Sequence, residues 1–400
     1  MIIQQSRAIR NSDIARFAWS SLRRFHNTAF VTIRLCEIHN IPSKQKSNAA
    51  KQADQIRYSL MQARDYFDSA LEVSAATKPV LLYYCLMHLA TAEVLFKQEG
   101  DSSLHRAREQ HRHHGLSFAL DVAAKRESTM IGAASKLAAS RAMRKPARRQ
   151  DNNKANKKNE TNNNNYEGFG TFELWRRSAR ESPTVGRQEV TGDRNIVTYG
   201  ILGIPPDKPS NIPAQRITLL DCLQHLPALH NFCWLHGLRS EMVRSTIRRS
   251  YNSSSMSGTF IMAIHPNHKA VYGDIIEHIF FKAELWGRIQ FIDQGDSGTI
   301  ICEYNQDYLP MFSLPSSANI YQDECFMNMT KTITNEFGYY YIALFICGNY
   351  ARYYPDYWIV DIERSSDLSL AIDQIMHSAE ERVPLLALSE LERTYFVLER

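Results

Sequence analysis

The sequence predicts a mainly α-helical protein of the α+β class, with helices forming the core and a small β-hairpin or sheet added in the second half. Long stretches near both ends have the periodicity or the apolar length of packed helices, and short apolar strings broken by Gly and Pro lie between them. The chain has 400 residues, of which 44% are hydrophobic, so it can bury a sizeable core. With 17 Gly, 14 Pro and 22% charged residues, the composition excludes collagen-like and wholly disordered chains.

The first hundred residues predict a helical bundle. From 49 to 76, apolar residues recur at three- and four-residue steps and therefore share one helix face. Pro79 suits the first turn of the next helix, which reaches Phe96 and is apolar nearly all round, as expected of the central helix of a bundle. We predict that these two helices form an antiparallel hairpin and that a helix over 19–35 packs against it.

Polar and basic segments follow the predicted bundle. Residues 104–116 are rich in His and Arg, and an Ala-rich amphipathic pattern predicts a basic helix over 121–143. The Asn- and Lys-rich tract after it has no apolar face to bury, so it predicts a flexible linker or insertion. The predicted organisation is an N-terminal bundle with a basic C-terminal helix over 1–144, a linker over 145–167 and a mixed helical domain over 168–400.

Beyond the linker, helices and short strands alternate. Thr218 is a suitable N-cap for one short helix, and Pro227 can start another. The predicted helices of this half cover 219–226, 227–238, 273–285, 332–347, 368–382 and 389–398. The predicted strands cover 196–204, 259–264, 288–292 and 299–304, the last two as a hairpin. Gly295-Asp-Ser-Gly298 has the composition of its tight turn, whereas a protease serine in such a string needs a partner His and Asp that the surroundings do not supply.

The expected compartment and cofactor use follow from sequence motifs that are absent. The N-terminal residues lack the charged start, apolar run and cleavage site of a secretory signal, so we expect a cytoplasmic protein. The seven cysteines lie singly among apolar neighbours, which predicts reduced core thiols. The most apolar segment, 79–96, contains His88 and Glu93, so we expect no membrane span. No glycine-rich phosphate loop or dinucleotide fingerprint is present in the sequence, and we expect no cofactor.

Positive charge is concentrated in one segment. Residues 101–165 contain fourteen Lys and Arg against six Asp and Glu, a net charge of +8 within a chain whose total is +5. Such a segment can neutralise phosphates and release their counterions, so nucleic acid is a candidate partner. A solvated arm is the alternative interpretation. The candidate nucleic-acid contacts are Arg112, Lys125, Arg126, Arg141, Arg144, Lys145, Arg148 and Arg149.

A series of stretches resembles the YaaC-like family of bacterial proteins. They are Lys78-Pro-Val-Leu-Leu-Tyr-Tyr with Leu89-Ala-Thr-Ala, His114-Gly-Leu, Gly168-Phe-Gly-Thr-Phe, Ile217-Thr-Leu-Leu-Asp-Cys-Leu with Leu226-Pro-Ala-Leu, and Ala351-Arg-Tyr-Tyr-Pro-Asp-Tyr-Trp. They follow the family's order from roughly residue 70 to residue 400. The family implies no established reaction, and the basic helix and Asn-rich tract between His114 and Gly168 look like an addition to its pattern.

The N-terminal part also resembles HEPN-type helical domains, in which an aromatic, alanine-containing helix precedes a His-x-Leu step. Residues 83–96 and His114-Gly-Leu116 correspond to these features. Some members cleave RNA without a metal through an Arg-x4–6-His motif, in which the His moves protons and the Arg stabilises charge on phosphate at a dimer interface. The resemblance implies a catalytic pair of Arg108 with His113, or alternatively of Arg106 with His111, and a homodimer or another protein partner. A basic turn with a structural or ligand-contacting role is the other interpretation.

Two groups of histidines partly match the spacing of metal ligands. They are His105, His111, His113 and His114, and His230 and His236 with Cys233. The first group lacks a Cys or a consistent carboxylate to complete a tetrahedral set, and the second alternates with aromatic residues that are typical of a packed helix. We therefore predict no metal site.

An aromatic segment, Arg352-Tyr-Tyr-Pro-Asp-Tyr-Trp358, is the most unusual composition of the second half. Arg352, Tyr353 and Trp358 could stack on bases or grip a ligand, and with His114 they complete the candidate site residues. A buried corner is the alternative for the same segment. A further basic cluster lies on a predicted helix and consists of Arg239, Arg244, Arg248 and Arg249.

Two classes of function agree with these observations. The first is a nucleic-acid-associated protein of a bacterial defence or stress system, which binds RNA or DNA and, as an RNase, would also cleave RNA. The second is a non-catalytic protein-interaction or regulatory module. The basic segment favours the first class for binding, because its charge is a physical reason for attraction to phosphate, and the sequence leaves open whether the protein is an enzyme.

Overall fold

The computed structural model describes residues 5–100, 113–121, 129–144, 167–179, 216–252, 257–265 and 333–399, with short segments between 185 and 328. Its helices are α1 (Ile14–Leu22), α2 (Thr28–His39), α3 (Lys46–Glu72), α4 (Lys78–Phe96), α5 (Met130–Lys136), α6 (Thr171–Ser178), α7 (Leu219–His225), α8 (His230–Leu235), α9 (Glu336–Tyr353), α10 (Pro355–Glu363) and α11 (Asp367–Glu392). Its longer strands are β1 (Gln5–Ile9), β2 (Leu116–Leu120), β3 (Leu137–Arg141), β10 (Met242–Asn252), β11 (Ser257–His265), β12 (Gln290–Gln294), β13 (Thr299–Asn305), β16 (Glu324–Asn328) and β17 (Thr394–Leu398). Two-residue strands are β4 (Met143–Arg144), β5 (Glu167–Gly168), β6 (Val185–Gly186), β7 (Glu189–Val190), β8 (Val197–Thr198), β9 (Ile217–Thr218), β14 (Phe312–Ser313) and β15 (Ser317–Ala318). The predicted class, mainly α with small β parts, is confirmed.

Side chains that cap helix N-termini explain several of these boundaries. The carboxylate of Asp13 accepts a hydrogen bond from the Arg16 amide at 2.8 Å and starts α1. Asn27 starts α2 after a single 3₁₀ turn, so the helix predicted over 19–35 is broken into two. Thr218 and Asp221 form a reciprocal capping box at α7, which confirms the predicted N-cap.

Helices α3 and α4 form the predicted antiparallel hairpin. Gln52, near the start of α3, donates hydrogen bonds to the carbonyl groups of Leu95 and Gln98 at the end of α4. The hairpin prediction is confirmed. Among the described residues, α4 is long and apolar enough to cross a membrane, but 67% of its most apolar window is buried inside the protein.

One hydrophobic core includes helices from both sides of the Asn-rich tract. Helix α4 packs against α9 and α11, and buried side chains of all three belong to one continuous cluster. The buried carboxylate of Glu93 accepts hydrogen bonds from Lys97 at 2.7 Å and from the indole of Trp175 at 2.9 Å, which joins α4 to α6. The predicted linker between 145 and 167 lies almost wholly outside the described residues, so the domain boundaries stay a prediction.

The strands form small sheets around this core. β1 pairs in parallel with β17, so segments near the two ends of the described chain lie side by side. β2, β3 and β9 form a three-stranded antiparallel sheet, and a six-stranded antiparallel sheet has the order β12-β13-β11-β10-β16-β15. The pairing of β12 with β13 confirms the predicted hairpin, whereas its turn at 295–298 lies outside the described residues.

Three helix predictions were wrong because parts of these segments pair as strands. Of the basic helix predicted over 121–143, the structure describes α5, which ends at Lys136, and the Ala-containing segment after it is β3, which pairs on both edges. The helix predicted over 389–398 stops at Glu392, Arg393 has a φ of 54°, and the β-branched and aromatic residues that follow form β17. The Arg239–Arg249 segment, predicted as a helix, contains β10 instead.

The helices predicted over 368–382 and 389–398 are not separated at Pro384. It lies inside α11, which continues from Asp367 to Glu392. The predicted helix over 273–285 lies outside the described residues, and of the strand predicted over 196–204 only β8 is described.

Candidate functional site

The turn His113–Gly115 is held against the start of α6 by backbone hydrogen bonds. The His113 carbonyl accepts from the Thr171 amide at 2.8 Å, and the His114 carbonyl accepts from the Phe172 amide at 3.0 Å. These carbonyl groups satisfy amides that the first turn of a helix leaves without intrahelical partners. The turn therefore joins two stretches of sequence that are more than fifty residues apart, and it closes the N-terminus of α6.

Two glycines make this contact possible. Gly115 and Gly170 have φ values of 89° and 99°, a region that side chains rarely allow. A Cβ atom on Gly170 would lie 2.4 Å from both the Cα and the amide nitrogen of Gly115. The two backbones thus approach more closely than any side chain permits.

His113 is exposed, and a hydrogen bond selects one tautomer of its neutral ring. Its Nδ1 lies 2.9 Å from the Gly115 amide, and because that amide can only donate, Nδ1 is the acceptor. Neutral His113 therefore carries its proton on Nε2, which is a hydrogen-bond donor. Its ring packs against Phe169 at 5.0 Å between centroids.

His114 lies deeper, between aromatic side chains of α4 and α9. Its Nδ1 is 3.0 Å from the hydroxyl of Tyr83, and its ring also packs near Tyr84 and Phe345. Burial, followed by the positive charges of His113 and Arg352, lowers the pKa of His114 below its ordinary value. His114 is consequently neutral at pH 7 and acts as a link between the turn and α4.

A buried carboxylate organises three arginines beside this turn. Glu173 accepts hydrogen bonds from Arg141 at 2.9 Å, from Arg176 at 2.6 and 2.8 Å and from Arg177 at 2.9 Å. Burial alone would raise the pKa of Glu173, but the hydrogen bonds from Arg176 and Arg177 and the nearby positive charges lower it to about 2. Glu173 therefore remains ionised and fixes the directions of three guanidinium groups.

A fourth arginine extends the same surface. The guanidinium of Arg144 lies over the ring of Phe169, 5.4 Å from its centroid, so Arg144 and His113 contact the same aromatic side chain. We call Arg141, Arg144, Arg176 and Arg177 the arginine surface. Its carboxylates are Glu173 and Glu167, the cross-strand partner of Arg144, so cations exceed anions by two. Arg144 and Arg177 are exposed, whereas Arg141 and Arg176 are partly buried.

Two basic segments of the sequence connect to described residues at this surface. Residues 101–112 lead directly into His113, and residues 145–166 connect Arg144 to Glu167. Since Arg144 and Glu167 are paired across β4 and β5, the second segment leaves and returns at one point. These segments carry net charges of +1 and +4, so five of the eight net positive charges between 101 and 165 are attached beside the arginine surface.

The structure brings together part of the predicted site. His113, His114, Arg141 and Arg144 lie around the turn, and Arg352 lies near His114, where it donates to the Tyr84 hydroxyl at 3.3 Å. Outside the described residues are Arg106, Arg108, His111, Arg112, Lys125, Arg126, Lys145, Arg148 and Arg149. The two predicted catalytic pairs thus stay predictions.

The aromatic segment Arg352–Trp358, at the junction of α9 and α10, divides between surface and core. Tyr353 is 59% exposed and lies beside the guanidinium of Arg352 at 5.2 Å. Trp358 is 1% exposed and donates to the Ala75 carbonyl at 3.2 Å, so it is a packing residue. Trp358 is therefore not available to stack on a base.

The second group of histidines also has structural partners. His230 is buried with its Nδ1 3.2 Å from the Ser240 hydroxyl, and the Cys233 thiol donates to the Leu223 carbonyl at 3.4 Å. In the part of the chain that the structure describes, no three His, Cys, Asp or Glu side chains are grouped to hold a metal ion. In the second basic cluster, the Arg244 side chain is paired with Glu324.

Sequence reasoning missed Glu173, Arg176 and Arg177. The signal was present, because these residues follow Gly168-Phe-Gly-Thr-Phe by less than two helical turns and Glu and Arg at three- and four-residue spacing form pairs on a helix. Their importance depends on Arg141, which β3 brings to the same carboxylate. That contact could not be read from spacing alone.

Comparison with known proteins identifies a family. The family described as YaaC-like protein matches residues 23–131 and 206–391, which together are most of the chain. Between these two ranges lie β3, β4, α6 and the whole arginine surface. No curated protein and no solved structure matches the chain.

Proposed function

The chain belongs to the YaaC-like protein family, and we propose from its own geometry that it binds the phosphate backbone of nucleic acid. One observation carries the proposal: the arginine surface lies where both basic segments, 101–112 and 145–166, join the described chain. A guanidinium group offers paired N–H donors that match two phosphate oxygens. Contacts of this kind provide affinity for RNA and DNA alike, without reading base sequence.

The arginine surface is organised for binding before a ligand arrives. Glu173 and Phe169 hold the guanidinium groups in place, so less side-chain freedom is lost when a phosphate binds. His113 adds an Nε2–H donor at the edge of this surface. The cation excess of the surface, together with the two attached segments, provides a long-range attraction for a polyanion.

The geometry of His113 supports binding more than proton transfer. To accept a proton on Nδ1, His113 would have to give up the hydrogen bond from the Gly115 amide. Three secondary proposals remain: metal-independent cleavage of RNA by His113 with Arg108, a role in bacterial defence or stress, and a cytoplasmic location. The first two depend on nucleic-acid binding being observed first.

A protein-interaction module is the second candidate, and one observation favours it. Trp234 and Leu235 at the end of α8 are adjacent and are 67% and 72% exposed. Neighbouring large apolar side chains on a surface are typical of protein contacts. If the protein bound no nucleic acid at any salt concentration, this function would be preferred.

The test is a salt series with the segment 145–166 present and absent. We expect wild-type affinity for labelled RNA and DNA to fall steeply with salt, because bound phosphates release counterions. Replacing 145–166 by Asn-Gly joins Arg144 to Glu167 through a two-residue turn that suits paired strands, and it removes six Lys and Arg against two Asp and Glu. This variant should bind with a shallower salt dependence, measured by fluorescence anisotropy.

The same variant provides its own control of folding. Because the replaced tract is polar and its ends are paired, we expect an unchanged melting temperature. Binding that does not depend on salt, or an identical slope in the two proteins, would contradict the proposed function.

A further inference from the structure

A cavity of about 400 Å³ lies between α1, the 3₁₀ turn after it and α3, away from the turn at His113. Its lining includes three arginines, Arg16, Arg23 and Arg64, together with His26 and Trp19. We call this cavity the α1–α3 pocket. Its size is within the range of pockets that hold small organic ligands.

The charge of the α1–α3 pocket is positive and only partly balanced. Arg64 is paired with Asp68 through contacts of 2.7 Å, so its charge is neutralised. Among the described residues, no carboxylate lies within ion-pair distance of the Arg16 or Arg23 side chains. The Asp13 carboxylate is engaged by the Arg16 backbone amide at the start of α1. Two guanidinium groups thus remain uncompensated at one cavity.

The pKa of His26, which lines the pocket, is affected by the same positive charges. Burial, and then the positive charges of Arg57 and Arg23, lowers the pKa of His26 below its ordinary value. The Nε of Arg57 is buried without a hydrogen-bond acceptor among the described residues. An anion in the pocket would relieve this repulsion, because it would favour each of these groups in its charged form.

An independent observation concerns Trp19, which lines the pocket. Trp19 is 6% exposed, and its indole Nε1 is buried without a hydrogen-bond acceptor in the described part of the chain. Its ring lies beside the Arg64 guanidinium, 5.3 Å from the ring centroid. The Trp19 ring therefore forms an apolar wall of the pocket and positions the guanidinium of Arg64 beside it.

We propose that the α1–α3 pocket binds a small organic phosphate of nucleotide size. A phosphate group provides three acceptor oxygens and up to two negative charges, which suit the guanidinium groups of Arg16 and Arg23 together. A single carboxylate has fewer acceptor sites and only one charge. The pocket is built from α1 and α3, so this proposal does not depend on the arginine surface or on nucleic-acid binding.

The test is titration calorimetry of the full-length protein with ATP as the probe, at constant ionic strength. We expect ATP to bind to wild type, and Arg23→Gln to weaken binding about tenfold or more, because a hydrogen bond between charged groups is lost. Arg16→Gln removes the second guanidinium of the pocket and should weaken binding to a similar extent. Lys51→Gln changes the charge equally on an exposed part of α3 and should leave binding unchanged.

Several outcomes would overturn this proposal. The first is that wild type does not bind ATP, and the second is that Arg23→Gln and Lys51→Gln bind ATP with equal affinity. The third is that wild type binds ATP and citrate equally, which would mean that the pocket accepts any polyanion. Loss of ATP binding in Arg144→Gln with retention in Arg23→Gln would place the ligand on the arginine surface instead. Arg23 is exposed, so its substitution is not expected to prevent folding.

Discussion

Gly170→Ala is expected to destabilise the protein by about 3 kcal/mol or more and to abolish most of the nucleic-acid binding that we propose. The added Cβ would lie 2.4 Å from the backbone of Gly115, and backbone atoms cannot move aside as a flexible side chain can. The positive φ of 99° adds further strain. The His113–Gly115 turn would separate from α6, and the Phe169 ring that supports Arg144 would be displaced.

Urea unfolding measures the first effect, and fluorescence anisotropy with labelled RNA measures the second. Gly237→Ala is the matched control, since Gly237 also has a positive φ, of 65°, but a Cβ there meets nothing within 4 Å. It should cost only about 1 kcal/mol, the strain of the left-handed backbone, and leave binding unchanged. Equal destabilisation by the two variants would show that the close approach of Gly170 to Gly115 is not required.

Glu336→Ala is expected to cost about 3–5 kcal/mol of stability, because it removes one partner of a buried ion pair. The Arg382 guanidinium donates to the Glu336 carboxylate at 2.9 and 2.8 Å, and both side chains are at most 5% exposed. This pair joins α9 to α11 in the core that also contains α4. Without the carboxylate, a positive charge would be left in the interior with no partner of opposite sign.

A double variant separates the cost of leaving one charge unpaired from the net contribution of the ion pair to stability. Glu336→Leu combined with Arg382→Met replaces both charges by apolar groups and should be much less destabilising than Glu336→Ala. Glu37→Ala, which removes the exposed partner of Arg34 at 3.9 Å, should change stability by less than about 1 kcal/mol. Chemical denaturation compares the three proteins. Similar losses in the single and double variants would mean that packing, and not charge, sets the effect.

The sequence predicted the helical core well because its signals there are local. The apolar steps of α3, the nearly uniform apolar surface of α4 and the Thr218 N-cap each depend on residues within a few positions. β3 was missed for the opposite reason, because its Ala-containing segment is helix-compatible and only pairing with β2 and β9 makes it a strand. β17 was missed although its β-branched and aromatic residues favour a strand, and its pairing with β1 joins segments almost 400 residues apart.

The candidate site was predicted in part for a similar reason. Charge counting identified Arg141 and Arg144, because a net charge of +8 over 101–165 is visible in the sequence. It could not identify Glu173 as the carboxylate that positions Arg141, since that contact spans 32 residues and depends on the fold of β3 against α6. The His-Gly-Leu and Gly-Phe-Gly stretches were both recognised, but their direct contact through Gly115 and Gly170 is visible only in the structure.

The most direct test of the proposed function is the salt dependence of RNA binding after Arg144 and Arg177 are both changed to Gln. These two arginines are the exposed members of the arginine surface, so their replacement removes charge without opening the core. The matched control is the double variant Arg34→Gln, Lys51→Gln, which changes the net charge equally on α2 and α3. Binding to a single-stranded RNA of about 20 nucleotides is measured by anisotropy across a salt series.

If both arginines contact phosphates, the slope of log K against log salt should be shallower by about 1.4 than in wild type, from about 0.7 for each lost contact on a single strand. The control should keep the wild-type slope. A slope for Arg144→Gln, Arg177→Gln that equals that of the control would contradict the assignment of nucleic-acid binding to the arginine surface.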